Sequence, residues 1–390
     1  MSGALETESK NVGCCLLTTP SKLKKGERMF TFQNIYNAYL QCRKGKRNTI
    51  NALKFEQNLI ANLWDLTDAL QSRRYEIGAS ICFLTTSPKL REVFAADFGD
   101  RIVHHVLVAE LEKIYEPKFI SDVYNNRKTK GIHRATQKAQ SYMNSTYGGY
   151  YLQLDIKGFF YNLDKDILYR YLYAECKGQE EILYLAHKII YHDPTQNYIF
   201  KGNKTKLGLL PPHKTLFGLA PNKGLPIGNL TSQFFANVYM SAFDNYIKRV
   251  LKVKHYIRYV DDFVLFDSSK ERLAELLVQI ERYLGRYLSL TLRADTKLKH
   301  HKEGLDFLGY IIRPDYILTR RRVVNNYKYK KAKYLQRYEE SKGKMKLSEI
   351  KAFLSVKASF ESHTKHSNSY NLNQKIGAID ENNPFDYDRA

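Results

Sequence analysis

Apolar positions along the chain recur at two spacings, and the switches between those spacings divide it into elements. From Phe30 to about Ala69 they recur every third or fourth residue, the period of an amphipathic helix, with a basic break at Arg43-Lys44-Gly45-Lys46-Arg47. Residues 75–86 are rich in strand formers, turn at Ser87-Pro88 and resume over 89–93, which predicts a hairpin. Helical spacing returns over 97–114, with Ile102, Val103, Val106, Leu107, Leu111 and Ile114 on one face. His104-His105 lies inside it without a Glu at metal-motif spacing and is read as ordinary helix. A basic loop, 124–133, opens a further helix. Residues 150–156 alternate as a strand, and Asp164 caps a helix through about Ala174.

The stretch 190–223 reads as loop, with Gly202, Gly208, Pro211-Pro212, Gly218 and Pro221. A Gly/Pro loop over 224–233 runs into a long apolar helix ending near Leu251. Residues 256–266, Tyr-Ile-Arg-Tyr-Val-Asp-Asp-Phe-Val-Leu-Phe, place two β-branched and aromatic runs around a pair of aspartates, which predicts a hairpin with Asp261 and Asp262 at its tip. A helix follows over 271–288, then a strand over 307–312 before a turn at Arg313-Pro314-Asp315. Arg320-Arg321-Arg322 opens a helix that mixes Tyr327, Tyr329 and Tyr334 with Lys328, Lys330, Lys331 and Lys333. The first 29 residues carry no sustained period and read as a flexible arm, and 376–390 as a polar, disordered tail. No internal repeat is visible.

Composition narrows the partners. The 390 residues are 43% hydrophobic and 26% charged, enough for a large core in two or three subdomains. The net charge of +22 favours a polyanion, with nucleic acid ahead of an anionic membrane surface. The 30 Tyr and 20 Phe supply core and, where exposed, platforms for stacked bases. Cys14, Cys15, Cys42, Cys82 and Cys176 form no C-x-x-C pair and are odd in number, which argues against a disulfide framework or zinc site and for a reducing, cytoplasmic setting. The polar, acidic start does not read as a signal peptide, and no apolar run reaches membrane-span length.

The chemistry follows from the acids. Two carboxylates at a hairpin tip repel one another unless a cation offsets them, and hard oxygen ligands suit Mg²⁺. The alternative for this stretch alone is a solvated turn. Asp155 ends a strand, so on one sheet Asp155, Asp261 and Asp262 could hold two Mg²⁺ about 4 Å apart, as nucleotide transfer requires.

Four segments in order, 155–160 (Asp-Ile-Lys-Gly-Phe-Phe), 224–233, 259–262 (Tyr-Val-Asp-Asp) and 307–310 (Phe-Leu-Gly-Tyr), resemble the motif series of reverse transcriptases, over roughly 43–371. The loop Leu225-Pro226-Ile227-Gly228-Asn229-Leu230-Thr231-Ser232-Gln233 is most similar to the enzymes of diversity-generating retroelements. Most other members have Gln before that Gly and end the loop Ser-Pro. The region holding 352–355 and 368–372 is similar to that group as well. The resemblance implies an α+β right-hand polymerase with an antiparallel palm sheet: an arm over 1–29, fingers over 30–145, a palm over 146–318 with a loop-rich insertion at 190–223, a helical thumb over 319–375, and the tail.

Carried over residue by residue, the resemblance makes Asp155, Asp261 and Asp262 the catalytic metal ligands, joined by the Ile156 carbonyl. Gly158 and Phe159 would face the triphosphate through their amides, and Phe160 would be the steric gate against a ribose 2′-OH. Lys89, Arg91 and Arg127 would lie near nucleotide or template, with plain surface charge as the alternative for each. Ile227 and Gly228 would lie against the incoming nucleotide, and Lys297 or Lys299 could protonate the leaving pyrophosphate. Phe307, Leu308, Gly309 and Tyr310 would form the primer grip. Arg320, Arg321, Arg322, Lys328, Lys330 and Lys331 would follow the duplex. The implied cofactors are two Mg²⁺, with Mn²⁺ as a substitute, and the substrates dNTPs. The implied partners are an RNA template, an RNA/DNA duplex, a template-repeat or noncoding RNA and a small helical accessory protein, with no membrane, in a bacterial or phage-encoded cytoplasmic enzyme. An antiphage-defence reverse transcriptase and a non-catalytic RNA-binding scaffold are the competing readings; an RNA-dependent RNA polymerase conflicts with Phe160.

Overall fold

The computed structural model describes residues 28–86 and 89–376. The expected arm and tail therefore lie outside the described residues except at 28, 29 and 376, as does the Ser87-Pro88 turn. At the arm's end Met29 is fully buried and donates its N–H to Glu181 Oε2 at 2.5 Å, so the chain is anchored one residue before the expected helical region.

The N-terminal helices are α1 (Phe32–Arg43), α2 (Ile50–Gln57) and α3 (Leu59–Gln71), followed by strands β1 (Ser80–Thr85) and β2 (Arg91–Ala95). Thr31 caps α1 by accepting the Asn34 N–H at 3.2 Å, and the basic break turns the chain after Arg43. Next come α4 (Phe98–Tyr115), α5 (Ile132–Ser145), β3 (Tyr150–Asp155), the one-turn α6 (Phe159–Asn162), α7 (Lys165–Glu175) and α8 (Glu180–Tyr191). As its sequence predicts, Asp164 caps α7, taking the N–H groups of Asp166 and Ile167 at 3.0 and 3.1 Å.

The 190–223 stretch is not all loop. Strand β4 (Tyr198–Lys201) lies within it and pairs in parallel with β1, Ser80 opposite Tyr198 through Phe83 opposite Lys201. Tyr198 and Phe200 face inward while Ile199 is exposed, a two-residue alternation that the flanking Gly and Pro obscure. The buried Glu92 of β2 then ties down the rest of the stretch, accepting from Thr215 Oγ1 at 2.6 Å and the Leu216 N–H at 2.9 Å.

Helix α9 (Leu230–Asn245) is buried on most of its circumference and continues as a π turn over Tyr246–Val250. Strands β5 (His255–Tyr259) and β6 (Asp262–Asp267), helix α10 (Lys270–Leu288) and strand β7 (Lys297–His300) complete a four-stranded antiparallel sheet in the order β5-β6-β3-β7. Both faces are covered. Leu152, Leu154, Phe263 and Leu265 enter the core shared with α4, α9 and α10, while Tyr151, Val264 and Phe266 enter a second core against α5. A sheet buried on both sides needs an unbroken apolar run, which is why Phe263-Val264-Leu265-Phe266 does not alternate.

Residues 307–312 are not the single strand predicted. Leu308 and Gly309 have φ of 53° and 92°, so the chain reverses between β8 (Leu305–Phe307) and β9 (Tyr310–Ile312). With β10 (Ile317–Thr319) these form a separate three-stranded antiparallel sheet. Helices α11 (Arg321–Glu340), α12 (Leu347–Thr364) and α13 (Tyr370–Lys375) end the described chain. Tyr327 stacks on Phe360 at 4.1 Å between α11 and α12. After α12 the chain docks on β10: Asn368 Oδ1 accepts the Ile317 N–H at 2.9 Å, and the Asn368 N–H returns to the Ile317 carbonyl at 2.7 Å. Cys42 and Cys82 are buried free thiols, and Cys176 is buried as well.

Candidate active site

The two central strands of the four-stranded sheet gather the three acids at one end. Asp155 closes β3 opposite Asp262, the first residue of β6, and the Ile156 N–H donates to the Asp261 carbonyl at 3.3 Å. Tyr259 also pairs with Asp262, so Val260 and Asp261 form a two-residue turn. The acids share a half-buried strand end, where the charge of Asp155 raises the proton affinity of Asp261 and Asp262. Burial, then the charge of Asp155, pushes the Asp261 carboxyl up to about 6. Burial pushes Asp262 up to about 7 against the hydrogen bond from Gln153, with Asp155 and Asp261 adding to the rise. Asp155 is raised by burial and held back by Arg293. Such a set holds protons for want of a stronger counter-charge, and a divalent cation is the natural replacement.

The fit to a metal is uneven across the three. Among the described residues no three His, Cys, Asp or Glu side chains already form a metal-ready cluster. Asp155 and Asp261 face one another, whereas Asp262 Oδ1 accepts from Gln153 Nε2 at 3.3 Å. The donor chemistry therefore fits a hard cation at Asp155 and Asp261, with Asp262 beside them sharing its Oδ1 with Gln153. Gln153 also donates to the Asp306 carbonyl at 3.0 Å and so links the acids to the β8–β9 hairpin.

Two neighbours carry no sequence signal. Gln153 is one; the other is Arg293, whose Nη1 lies 3.4 Å from Asp155 Oδ2 and whose N–H donates to the Asp155 carbonyl at 2.9 Å. A lone Gln in a strand and a lone Arg in a loop belong to no motif, and only the fold brings them to the acids.

The other expected residues divide. Lys89 and Arg91 are exposed, and their charges act on Asp261. Arg127 is turned inward: it pairs with Glu116 at 2.8 Å, donates to the Ile120 carbonyl at 2.6 Å and lies over Phe119, so its guanidinium is already engaged in structure. Gly158 has a φ of 54° and starts α6; a Cβ there would lie 3.0 Å from Asn162 Nδ2 and 3.6 Å from the His213 carbonyl, which brings the 190–223 stretch to this turn. Phe159 is buried, and Phe160 beside it is half-buried, the two rings meeting edge to face at 5.3 Å. Ile227 accepts the Phe94 N–H at 3.0 Å, and a Cβ on Gly228 would lie 2.7 Å from Val93, so this loop packs directly on β2.

Of the two lysines left open by the sequence, Lys297 acts on Asp262, whereas Lys299 pairs with Glu303 at 2.8 Å. Phe307 and Tyr310 are fully buried, and Leu308-Gly309 is the turn between them. Gly309 lies against His363, whose ring stacks on Tyr310 at 4.2 Å. On α11, Arg321, Arg322, Lys328 and Lys330 are exposed. Arg320 instead pairs with Asp306 at 2.9 Å, and Lys331 donates to the Ile376 carbonyl at 3.0 Å. Among the described residues no helix is long and apolar enough to cross a membrane.

Comparison with known proteins covers the same residues. Residues 86–312 match the family described as reverse transcriptase (RNA-dependent DNA polymerase), a span that contains the acids and the β8–β9 turn but not α11. Protein YkfC of Escherichia coli K12 is 24% identical over 323 residues, covering 73% of this chain and 80% of that protein. The group II intron-encoded protein LtrA of Lactococcus lactis is 23% identical over 292 residues, covering 58% of this chain and 45% of LtrA. Telomerase from Candida albicans, solved with a fragment of telomeric RNA, aligns at 10% identity and a TM-score of 0.42, over 77% of this chain and 55% of the telomerase. Apo telomerase from Candida tropicalis aligns at 10% identity and a TM-score of 0.43, over 67% and 52%. The chain thus spans about half the length of LtrA and of both telomerases.

Proposed function

The chain belongs to the reverse transcriptase (RNA-dependent DNA polymerase) family, and from that premise we propose that it copies a dedicated RNA into DNA at Asp155, Asp261 and Asp262. The observation that carries the reading is the meeting of the three acids at one end of the central sheet, with Asp155 opposite Asp262 and the Ile156 N–H on the Asp261 carbonyl. Two divalent cations bound there, with Mg²⁺ the natural pair, would activate the primer 3′-hydroxyl and hold the triphosphate. The protein's own part is placement. Phe160 fills the space beside the sugar, Arg91 offers positive charge from β2 and Lys89 from just before it, and Lys297 stands at the acids as a proton source for the leaving group. The β8–β9 turn steadies the primer end, and the exposed cations of α11 follow the duplex backbone. Arg127, Arg320 and Lys331 have structural partners and are left out of this set.

In this reading residues 30–145 are fingers, 146–318 palm and 319–375 thumb. The 190–223 insertion belongs to both of the first two, because β4 completes the β1–β2 sheet while the turn at His213 meets Gly158. The biological role we propose is error-prone copying of a template repeat in a diversity-generating retroelement, with a small helical protein as partner. Its support is the 225–233 loop, where Ile227 and Gln233 depart from the commoner pattern.

The test is primer extension on an RNA template with dNTPs. Asp261→Asn keeps the shape and removes a charge where charge develops in the transition state. Activity should fall by orders of magnitude, several kcal/mol in the barrier, with the fold intact. Near-normal extension by Asp261→Asn would overturn the assignment. For the biological role, flanking DNA without a template/variable repeat pair, but with a structured RNA or toxin gene, would favour the defence reading.

A further inference from the structure

The tip of the β5–β6 hairpin is built against its own sequence. Val260 is the first residue of the two-residue turn and has a φ of 62°. A positive φ there is the glycine position of a type II′ turn, and a β-branched residue is strained in it. Such strain persists only where the surroundings impose it.

The surroundings do so from both sides. The Val260 N–H donates to Asn125 Oδ1 at 3.0 Å, and the Val260 carbonyl accepts from Arg258 Nη1 at 2.9 Å. Neither partner is loose. Arg258 is fully buried and grips Asp244 through Nε at 2.8 Å and Nη2 at 2.6 Å, while the Tyr256 hydroxyl donates to the same carboxylate at 2.8 Å. Asn237 closes the ring: its Oδ1 lies 3.3 Å from Arg258 Nη1, and its Nδ2 donates to the Asn125 carbonyl at 3.0 Å. A buried ion pair is a poor source of stability compared with apolar residues of similar volume. What this one does supply is direction, since the fork of Arg258 is left with one geometry.

We propose that Asn125 and the Arg258–Asp244 pair, braced by Asn237, are positioning residues that hold Val260 in its left-handed backbone and thereby aim Asp261 at Asp155. The inference rests on the reading of Asp155 and Asp261 as the metal-binding acids. None of the four is one of the acids; they act through the turn.

Asn125→Ala removes the acceptor of the Val260 amide. Hydrogen exchange across 256–263 should quicken, and Mn²⁺ affinity, measured by electron paramagnetic resonance without substrate, should fall about tenfold, the worth of one hydrogen bond. The kcat should fall by a similar factor with little change in the KM for dNTP. Adding Val260→Gly should recover most of the loss, because glycine adopts positive φ without a clamp. Unchanged exchange and Mn²⁺ affinity in Asn125→Ala would overturn the proposal, as would a double variant no better than the single. If Asn125→Ala does not fold, the double variant should, and its failure to fold would also overturn the proposal. If Asp261→Asn binds Mn²⁺ like the parent, it is the assignment of the acids that has failed. If Asp261→Asn loses the metal while Asn125→Ala keeps it, the clamp alone has failed.

Discussion

Phe160 tests how far one side chain can be read. Its ring is half-buried against Phe159, so Phe160→Ala should cost roughly 1–2 kcal/mol of packing, less than a fully buried ring. If the exposed part fills the space beside the sugar, the variant incorporates ribonucleotides; lost dNTP activity with no ribonucleotide gain would make Phe160 purely a core residue. The Ile227 side chain has no donor or acceptor, and the Ile227 carbonyl is already used by the Phe94 N–H. On the proposed error-prone role, Ile227→Gln should lower misincorporation while keeping much of the rate, read by sequencing cDNA from one RNA; equal error rates would break the link between this position and fidelity. His104 gives a pH signature independent of catalysis. Burial, then His105 and Arg101, pushes its pKa from 6.5 down to about 3. Between those values the unfolded chain binds a proton that the fold refuses, so stability falls as pH falls, by about 2 kcal/mol from this group at pH 5. Asp100 works the other way: burial lifts it from 3.8 to about 6, so its cost enters as pH rises through that window. Urea titrations at pH 7 and pH 5 should show a smaller loss for His104→Gln than for the parent. At this scale the three acids were legible because strand formers on both sides fix where they end. Arg258, Gln153, Arg293 and Asn125 were not, because each draws its meaning from a partner distant in sequence. Arg127 misled because a basic residue looks the same in sequence whether it faces solvent or a buried carbonyl.

Among the elements, those with an unmixed period were read with little error. Helices α4, α7 and α10 have their expected spans to within a residue or two, since apolar spacing and a capping Asp or Ser mark them. Strand β4 was hidden by the Gly and Pro around it, and the β8–β9 turn by Leu308, a residue that rarely takes a positive φ. Helix α11 presents Arg321, Arg322, Lys328 and Lys330 to solvent. Neutralising Arg321, Arg322 and Lys328 together should weaken duplex binding for every sequence and flatten the dependence of log K on log salt by about 0.7–0.9 per lost contact. An unchanged slope would make this face merely solvated. Arg320→Gln serves as the control: it frees Asp306 and should alter stability more than the salt slope.

Over the whole molecule, the +22 charge was readable as a preference for polyanions, but the way distant segments complete one another was not. Strand β1 takes β4 as its outer neighbour from over a hundred positions further along, and β3 lies between β6 and β7 at similar or greater separation. Sequence periods locate strands but do not say which strand pairs with which. The arrangement bears on how the chain is made. A ribosome adding 5–20 residues per second finishes β1 roughly ten seconds before β4 exists, and β3 waits still longer for both neighbours. Through that interval the central strand of the future site has two open edges, the form of β-structure most prone to join another chain. A nascent chain should therefore gain most from a chaperone before residue 300 has emerged, and one cut short there should aggregate rather than persist as a weakened form of the fold.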